Sequence, residues 1–121
     1  MPNEDDSNLY ILNSTFVDDV IFNRAGYGTN QVYLYNNIFY SISSYPPAVI
    51  FQDISKQTLA GEDNNYYFSA FDVIAFEFRD NSVLDRSYTF SEMGNGKWYA
   101  SEGFGEHDIG KILDKDSCQL N

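Results

Sequence analysis

FDVIAFEFRDNSVLDRSYTFSEMGNGKWYA, residues 71–100, carries the clearest structural signal in the chain. Ile74, Phe76 and Phe78 alternate with Val73, Ala75, Glu77 and Arg79, the period of a half-buried strand. Asp80-Asn81-Ser82 interrupts the run, and a second alternation follows with Leu84, Tyr88 and Phe90 on one parity. Gly94-Asn95-Gly96 breaks the chain again before Lys97-Trp98-Tyr99-Ala100. Asn-Gly suits the positive φ values of a type I′ turn, so three consecutive antiparallel strands are predicted. Their core set is Ile74, Phe76, Phe78, Leu84 and Tyr88. A two-residue turn at Asn95-Gly96 sets Glu92 opposite Tyr99, on the parity of Phe90. Either a bulge near Gly94 resets that register, or Trp98 and Tyr99 divide between core and surface.

Working outward, Leu9-Tyr10-Ile11-Leu12 reads as a short strand. Thr15 and Asp18 have the spacing of a capping box, and Phe16, Val17, Val20 and Ile21 recur at helical spacing. A short helix over 16–23 is predicted, although its β-branched residues also fit a strand. Residues 25–52 contain no charge. Within them QVYLY (31–35) and IFYSI (38–42) flank Asn36-Asn37, the composition of a hairpin turn. Both faces of that hairpin are apolar or aromatic, so it is either central in the fold or shows an aromatic face to a partner. Pro46-Pro47 ends it, 48–51 is a further strand, and the polar run 53–65 reads as a loop. Residues 66–71 lead into the opening stretch, 101–110 with three glycines reads as loop, and 111–113 as a last short element. No internal repeat and no linker is evident. The expectation is one α+β, β-dominated domain over 1–121. It is an antiparallel meander of six to eight strands, sandwich or half-barrel, with one or two short helices. Residues 1–7 and 114–121 are expected to be loosely held.

Twenty-one aromatic residues in 121, ten of them Tyr and ten Phe, support the β assignment. Eighteen acidic against seven basic residues give a net charge of −11. That charge repels nucleic-acid phosphates and anionic membranes and attracts cationic partners; equally, it solubilises a surface. The single cysteine, Cys118, excludes an internal disulfide and suits a reducing compartment. The opening MPNEDDSN lacks the basic and apolar regions of a signal peptide, and no apolar run is long enough to span a membrane. A cytoplasmic protein is expected.

Catalytic signatures are missing. His107, in Gly105-Glu106-His107-Asp108, is the only imidazole, and no nucleophile elbow, Walker loop or dinucleotide fingerprint occurs. One His and one Cys do not make a zinc site, and Asp114-x-Asp116 lacks the rest of a calcium loop. No cofactor or metal is expected. Arg79 and Arg86 sit beside Asp80 and Asp85, which points to ion pairing across a hairpin and away from phosphate reading. Protein recognition remains: aromatics anchor interface cores while carboxylates steer and meet Lys or Arg. The candidate contact residues are Asp18 and Asp19, Glu62 and Asp63, and Glu102, Glu106 and Asp108 beside Trp98 and Tyr99.

This small, acidic, aromatic-rich chain without a catalytic set resembles the immunity proteins of bacterial polymorphic and contact-dependent inhibition toxin systems. The resemblance lies in composition, and no motif carries it. It implies a non-enzymatic inhibitor that blocks the active site of a basic toxin or nuclease. Phage-encoded inhibitors of host nucleases share the composition. A small β-barrel or sandwich holding an apolar ligand between Tyr33, Tyr35 and Phe76 is the alternative from another class.

Overall fold

A computed structural model of the chain describes residues 7–22, 29–42 and 47–113. Eleven strands and two short helices occur among them. In chain order the strands are β1 (Ser7–Leu12), β2 (Thr15–Val17), β3 (Val20–Phe22), β4 (Asn30–Tyr35), β5 (Ile38–Ser41) and β6 (Val49–Phe51). There follow β7 (Gln57–Asp63), β8 (Tyr66–Ser69), β9 (Ile74–Asp80) and β10 (Val83–Thr89). The helices α1 (Phe90–Gly94) and α2 (Lys97–Glu102) precede β11 (Ile109–Ile112).

Apart from the β9–β10 hairpin, each strand pairs not with its sequence neighbour but with the third strand along. Face 1 has the order β1-β4-β7, face 2 β11-β8-β5-β2, and face 3 β10-β9-β6-β3. Every pair is parallel except β9 with β10. The chain is therefore a three-faced parallel β-solenoid. Coil 1 is β1-β2-β3, coil 2 is β4-β5-β6, and coil 3 is β7-β8-β9. Alternation within a strand sends one parity inward, and the parallel register stacks like positions from coil to coil. Phe16, Phe39 and Tyr67 form one such interior column, with ring centroids 5.4 and 5.1 Å apart. Phe22, Phe51 and Phe78 form another, at 4.8 and 5.6 Å.

The corner between faces 1 and 2 repeats chemically. Asn13, Asn36 and Asn64 occupy it at φ of 53°, 60° and 56°, a conformation that Asn tolerates better than other side chains. The next residue along turns inward and forms a ladder. Ser14 N–H donates to Asn37 Oδ1 at 3.0 Å, Asn37 N–H to Asn65 Oδ1 at 2.9 Å, and Asn65 N–H to Asp108 Oδ1 at 2.8 Å. Backbone donors that a tight corner would leave unpaired are thus satisfied by the coil below.

The antiparallel meander expected from sequence is overturned by this pairing, although strand still dominates, at 56% against 11% helix. Asn36-Asn37 is a corner and not a hairpin turn, so β4 and β5 lie on different faces. In place of the helix predicted over 16–23, the described residues 15–22 give β2 and β3, because Phe16 and Phe22 prolong the aromatic columns. The polar run 53–65 contains β7. An internal repeat exists after all: the corners at Ser14, Asn37 and Asn65 are 23 and 28 residues apart. The hairpin at Asn81-Ser82 is as expected, with φ of 50° and 71°. The third strand of the opening stretch is not. Thr89 caps α1 through Glu92 N–H, and Glu92 Oε1 accepts from Thr89 N–H, a capping box that starts a helix and removes the register conflict. The expectations for Cys118 and for the calcium-like pair at 114–116 fall outside the described residues, as do residues 1–6.

The two ends of the solenoid differ. At the end of coil 3, Trp98 from α2 is fully buried against Phe76 at 4.7 Å and edge-on to Tyr88 at 5.0 Å. β11 adds a partial fourth rung to face 2 beneath α1. Coil 1 has no such cover among the described residues. No described helix is long and apolar enough to cross a membrane.

Candidate functional site

Strand β7 sends Glu62 and Asp63 in opposite directions. Glu62 follows Ile11 and Leu34 in an inward column and is 2% exposed. A carboxylate there needs donors. It has three: Trp98 Nε1–H at 2.9 Å on Oε1, with Asn65 Nδ2–H at 2.7 Å and Tyr67 O–H at 2.9 Å on Oε2. Asp108, last member of the corner ladder, faces the same carboxylate. Its Oδ2 meets no donor. Burial first, and then the hydrogen bond to Glu62 and its charge, push the Asp108 carboxyl up to about 10. At neutral pH this favours the protonated form of Asp108 beside the Glu62 carboxylate. Burial and the neighbouring Glu62 likewise raise the Tyr67 phenol well above its ordinary value.

Gly105 closes over this pair. Its φ is +78°, its N–H donates to Glu62 O at 2.9 Å, and a Cβ there would collide with Asp108 and Trp98. The loop so fastened forms one wall of an open cleft of about 390 Å³ against face 1. Tyr35, Gly61, Asp63, Tyr99, Phe104 and Glu106 line it. Gly61 lets the Tyr35 ring lie across face 1, since a Cβ there would strike the Tyr35 hydroxyl. Tyr99 is 45% exposed at the rim. No Lys or Arg lines the cleft.

His107 stands at the corner beside it. Asp63 holds His107 twice: Oδ1 accepts the backbone N–H at 2.8 Å, and Oδ2 lies 2.9 Å from the ring Nδ1. Glu106 Oε1 is 3.9 Å from Nε2. The Asp63 bond, helped by the nearby carboxylate charges, raises the His107 pKa. Burial pushes the Asp63 carboxyl up, but the His107 bonds outweigh it and hold the group below its ordinary value. Among the described residues, no group of three or more His, Cys, Asp or Glu side chains is arranged to hold a metal ion.

The sequence-derived contact residues thus divide. Glu62, Asp63, Tyr99 and Glu106, from three separate segments, meet at the cleft. Trp98 and Asp108 lie behind it, in the interior. Glu102 is elsewhere: Arg86 donates to it at 2.6 and 3.0 Å, and Tyr88 O–H also donates to it. Glu102, Glu106 and Asp108 therefore form no continuous acidic edge. Asp18 and Asp19 lie in the coil 1 corner between faces 2 and 3, at the other end of the solenoid. The apolar-ligand alternative loses its cavity, because Phe76 is fully buried in the core while Tyr33 and Tyr35 are on the outside of face 1. Sequence reasoning missed Tyr35 and Phe104 as lining residues and Asn65 as the hub of the buried pair. The repeated Asn-Asn at 36–37 and 64–65 was the signal for the last.

Comparison with protein-family models, with curated proteins and with solved structures gives no match for this chain.

Proposed function

We propose that this domain is a recognition module whose cleft receives a cationic side chain of a protein partner. The observation that carries the reading is the convergence of Asp63 and Glu106 with the rings of Tyr35, Tyr99 and Phe104 around one opening without basic residues. Aromatic faces attract Arg or Lys by cation–π contact, and flanking carboxylates supply charge-assisted hydrogen bonds. The net charge of −11 favours encounter with a basic surface. An inhibitor of a basic toxin or nuclease, working in the cytoplasm as an immunity protein would, fits this chemistry. So does a non-enzymatic role, since the buried Glu62 carboxylate already has its donors.

The test is binding to, and inhibition of, a panel of basic nuclease and toxin domains at low and physiological salt. Tyr99→Ala should weaken binding about 30-fold, as loss of an interface anchor worth about 2 kcal/mol does. Glu106→Lys should slow association and flatten the salt dependence. Asp19→Lys, at the far end, should do neither. If no basic protein binds even at low salt, or if Tyr99 and Glu106 are indifferent, the proposal fails.

One observation favours a second reading. A largely exposed imidazole whose Nδ1 is held by a carboxylate is the arrangement of a general base. Hydrolysis of a panel of ester and glycoside substrates, abolished by His107→Gln with the fold intact, would support catalysis over binding; no turnover would remove it.

A further inference from the structure

We infer that the outer corner between faces 1 and 2 is a binding groove for a neutral, linear saccharide, separate from the cleft. The groove is open, about 360 Å³, and is lined by Asn36, Asn64, His107, Ile38, Tyr66 and Ile109 over the buried Asn37. None of these lines the cleft. Two rows of side chains run along it, because successive coils turn this corner in the same way. Ile38 N–H donates to Ser14 O, Tyr66 N–H to Asn37 O and Ile109 N–H to Asn65 O. The residue before each inward ladder member stands outside: Asn13, Asn36 and Asn64, and then His107 before Asp108. The residue after it starts the next strand, and there Ile38, Tyr66 and Ile109 stack in parallel register.

Glycine would meet the positive φ at 36 and 64 with less strain, so what asparagine adds there is its amide. Neither side-chain amide enters a hydrogen bond among the described residues. Each offers donors and an acceptor to the groove, and the His107 ring, fixed by Asp63, ends the row. On the other side Tyr66 is 41% exposed between Ile38 and Ile109. Amides facing an apolar, aromatic row suit a pyranose. Its hydroxyls lie at the rim, and its electropositive C–H groups pack on the negative face of an aromatic ring. In a chain of net charge −11 the lining holds no Asp, Glu, Lys or Arg, so an ionic ligand finds no ion-pair partner among them. A peptide strand cannot add here, because β8 is already paired with β5 and β11. Both rows repeat at the spacing of paired strands, about 4.8 Å, so a chain of repeating units meets the same groups from coil to coil.

The test is titration of the whole chain with cellohexaose, mannohexaose and laminarihexaose, followed by amide chemical shifts and by calorimetry. With at least one of them, amides of 36–38, 64–66 and 107–109 should shift, a readout that needs no variant. Affinity should rise from the disaccharide to the hexasaccharide of that series. It should be the same at low and high salt, whereas binding of a cationic partner at the cleft weakens with salt. Tyr66→Ala should weaken saccharide binding about tenfold, through loss of the ring contact. Asn64→Gly keeps the positive φ and removes the amide, and should weaken it about fivefold. Tyr99→Ala, in the cleft, should leave it unchanged. The inference is overturned if none of the three hexasaccharides shifts these amides, or if the affinity is indifferent to both Tyr66→Ala and Asn64→Gly. Binding of an uncharged proline-rich peptide at the same amides, with no saccharide bound, would overturn it as well.

Discussion

Asp108→Asn should stabilise this protein at neutral pH. The corner ladder uses Asn37 and Asn65 at the equivalent positions of the two preceding coils, so asparagine has a place ready for it. Its Oδ1 continues to accept Asn65 N–H, and its Nδ2–H brings a donor to the place of Oδ2, beside the Glu62 carboxylate. What changes is the proton. With the Asp108 carboxyl at about 10 in the folded chain and 3.8 as its ordinary value, folding takes up one proton throughout the interval between them. A raised folded-state value means that this group's contribution is fully present below pH 3.8 and is lost progressively as pH rises towards 10. Each pH unit costs about 1.4 kcal/mol, so the ceiling at pH 7 is about 4 kcal/mol, and relaxation around the pair should reduce it to about 2.

The assay is urea unfolding of both proteins from pH 4.5 to 8.5, read as the difference between them. Asp63 and Glu102, whose folded values are lowered, lose their contributions as pH falls, but they do so equally in both chains and cancel. The difference should be small near pH 4.5 and grow in favour of the asparagine variant with rising pH. Parallel curves, offset by a constant, would show that no proton is taken up at Asp108 and would refute the reasoning.

Three further outcomes follow from the same geometry. Glu62→Gln places an amide N–H against donors from Trp98, Asn65 or Tyr67, and should cost about 2–3 kcal/mol in chemical denaturation at pH 7. Asn65→Ala removes the acceptor for Asn37 N–H and the donor to Glu62 and to Leu34 O, three buried bonds; about 3 kcal/mol or more should be lost by the same measurement. Phe39→Ala, in the sealed middle of its column, should cost about 3–5 kcal/mol, and Phe16→Ala, on the open coil, clearly less; equal losses would mean that the coil 1 end is already covered.

Strands were legible in this sequence, and their partners were not. Alternation at 31–35, 38–42 and 74–80 reports that a strand has two faces, whichever strand lies beside it. The Asn36-Asn37 pair meets the needs of a hairpin turn, but a solenoid corner asks for much the same residues. The difference is that Asn37 turns inward and is 1% exposed, which only the neighbouring coil explains. The evidence against a hairpin lay at long range: Asn13-Ser14, Asn36-Asn37 and Asn64-Asn65 stand at intervals of 23 and 28 residues, within the span that marks solenoids. β7 was hidden for another reason. Its inward positions include Gln57 and Glu62, so it lacks the apolar alternation by which a strand is recognised. At the other end, Thr89-Phe90-Ser91-Glu92 was a readable helix start, outweighed in the sequence by the Asn-Gly that follows it.

The candidate site owes its position to how the ladder ends. In coils 1 and 2 the corner residue's N–H is met by an amide of the next coil, but coil 3 has no complete coil beyond it. Asp108 supplies that last acceptor, and in doing so draws residues 103–108 against face 1. Glu62, the inward neighbour of Asp63, holds the same loop through its backbone oxygen, which accepts from Gly105 N–H at 2.9 Å, and its carboxylate accepts from Trp98 in the helix before it. One strand therefore carries a buried carboxylate at the loop's base and, on its other face, a carboxylate that lines the cleft and bonds His107. Adjacent acids that look interchangeable in the sequence have opposite duties, and a two-residue period decides between them.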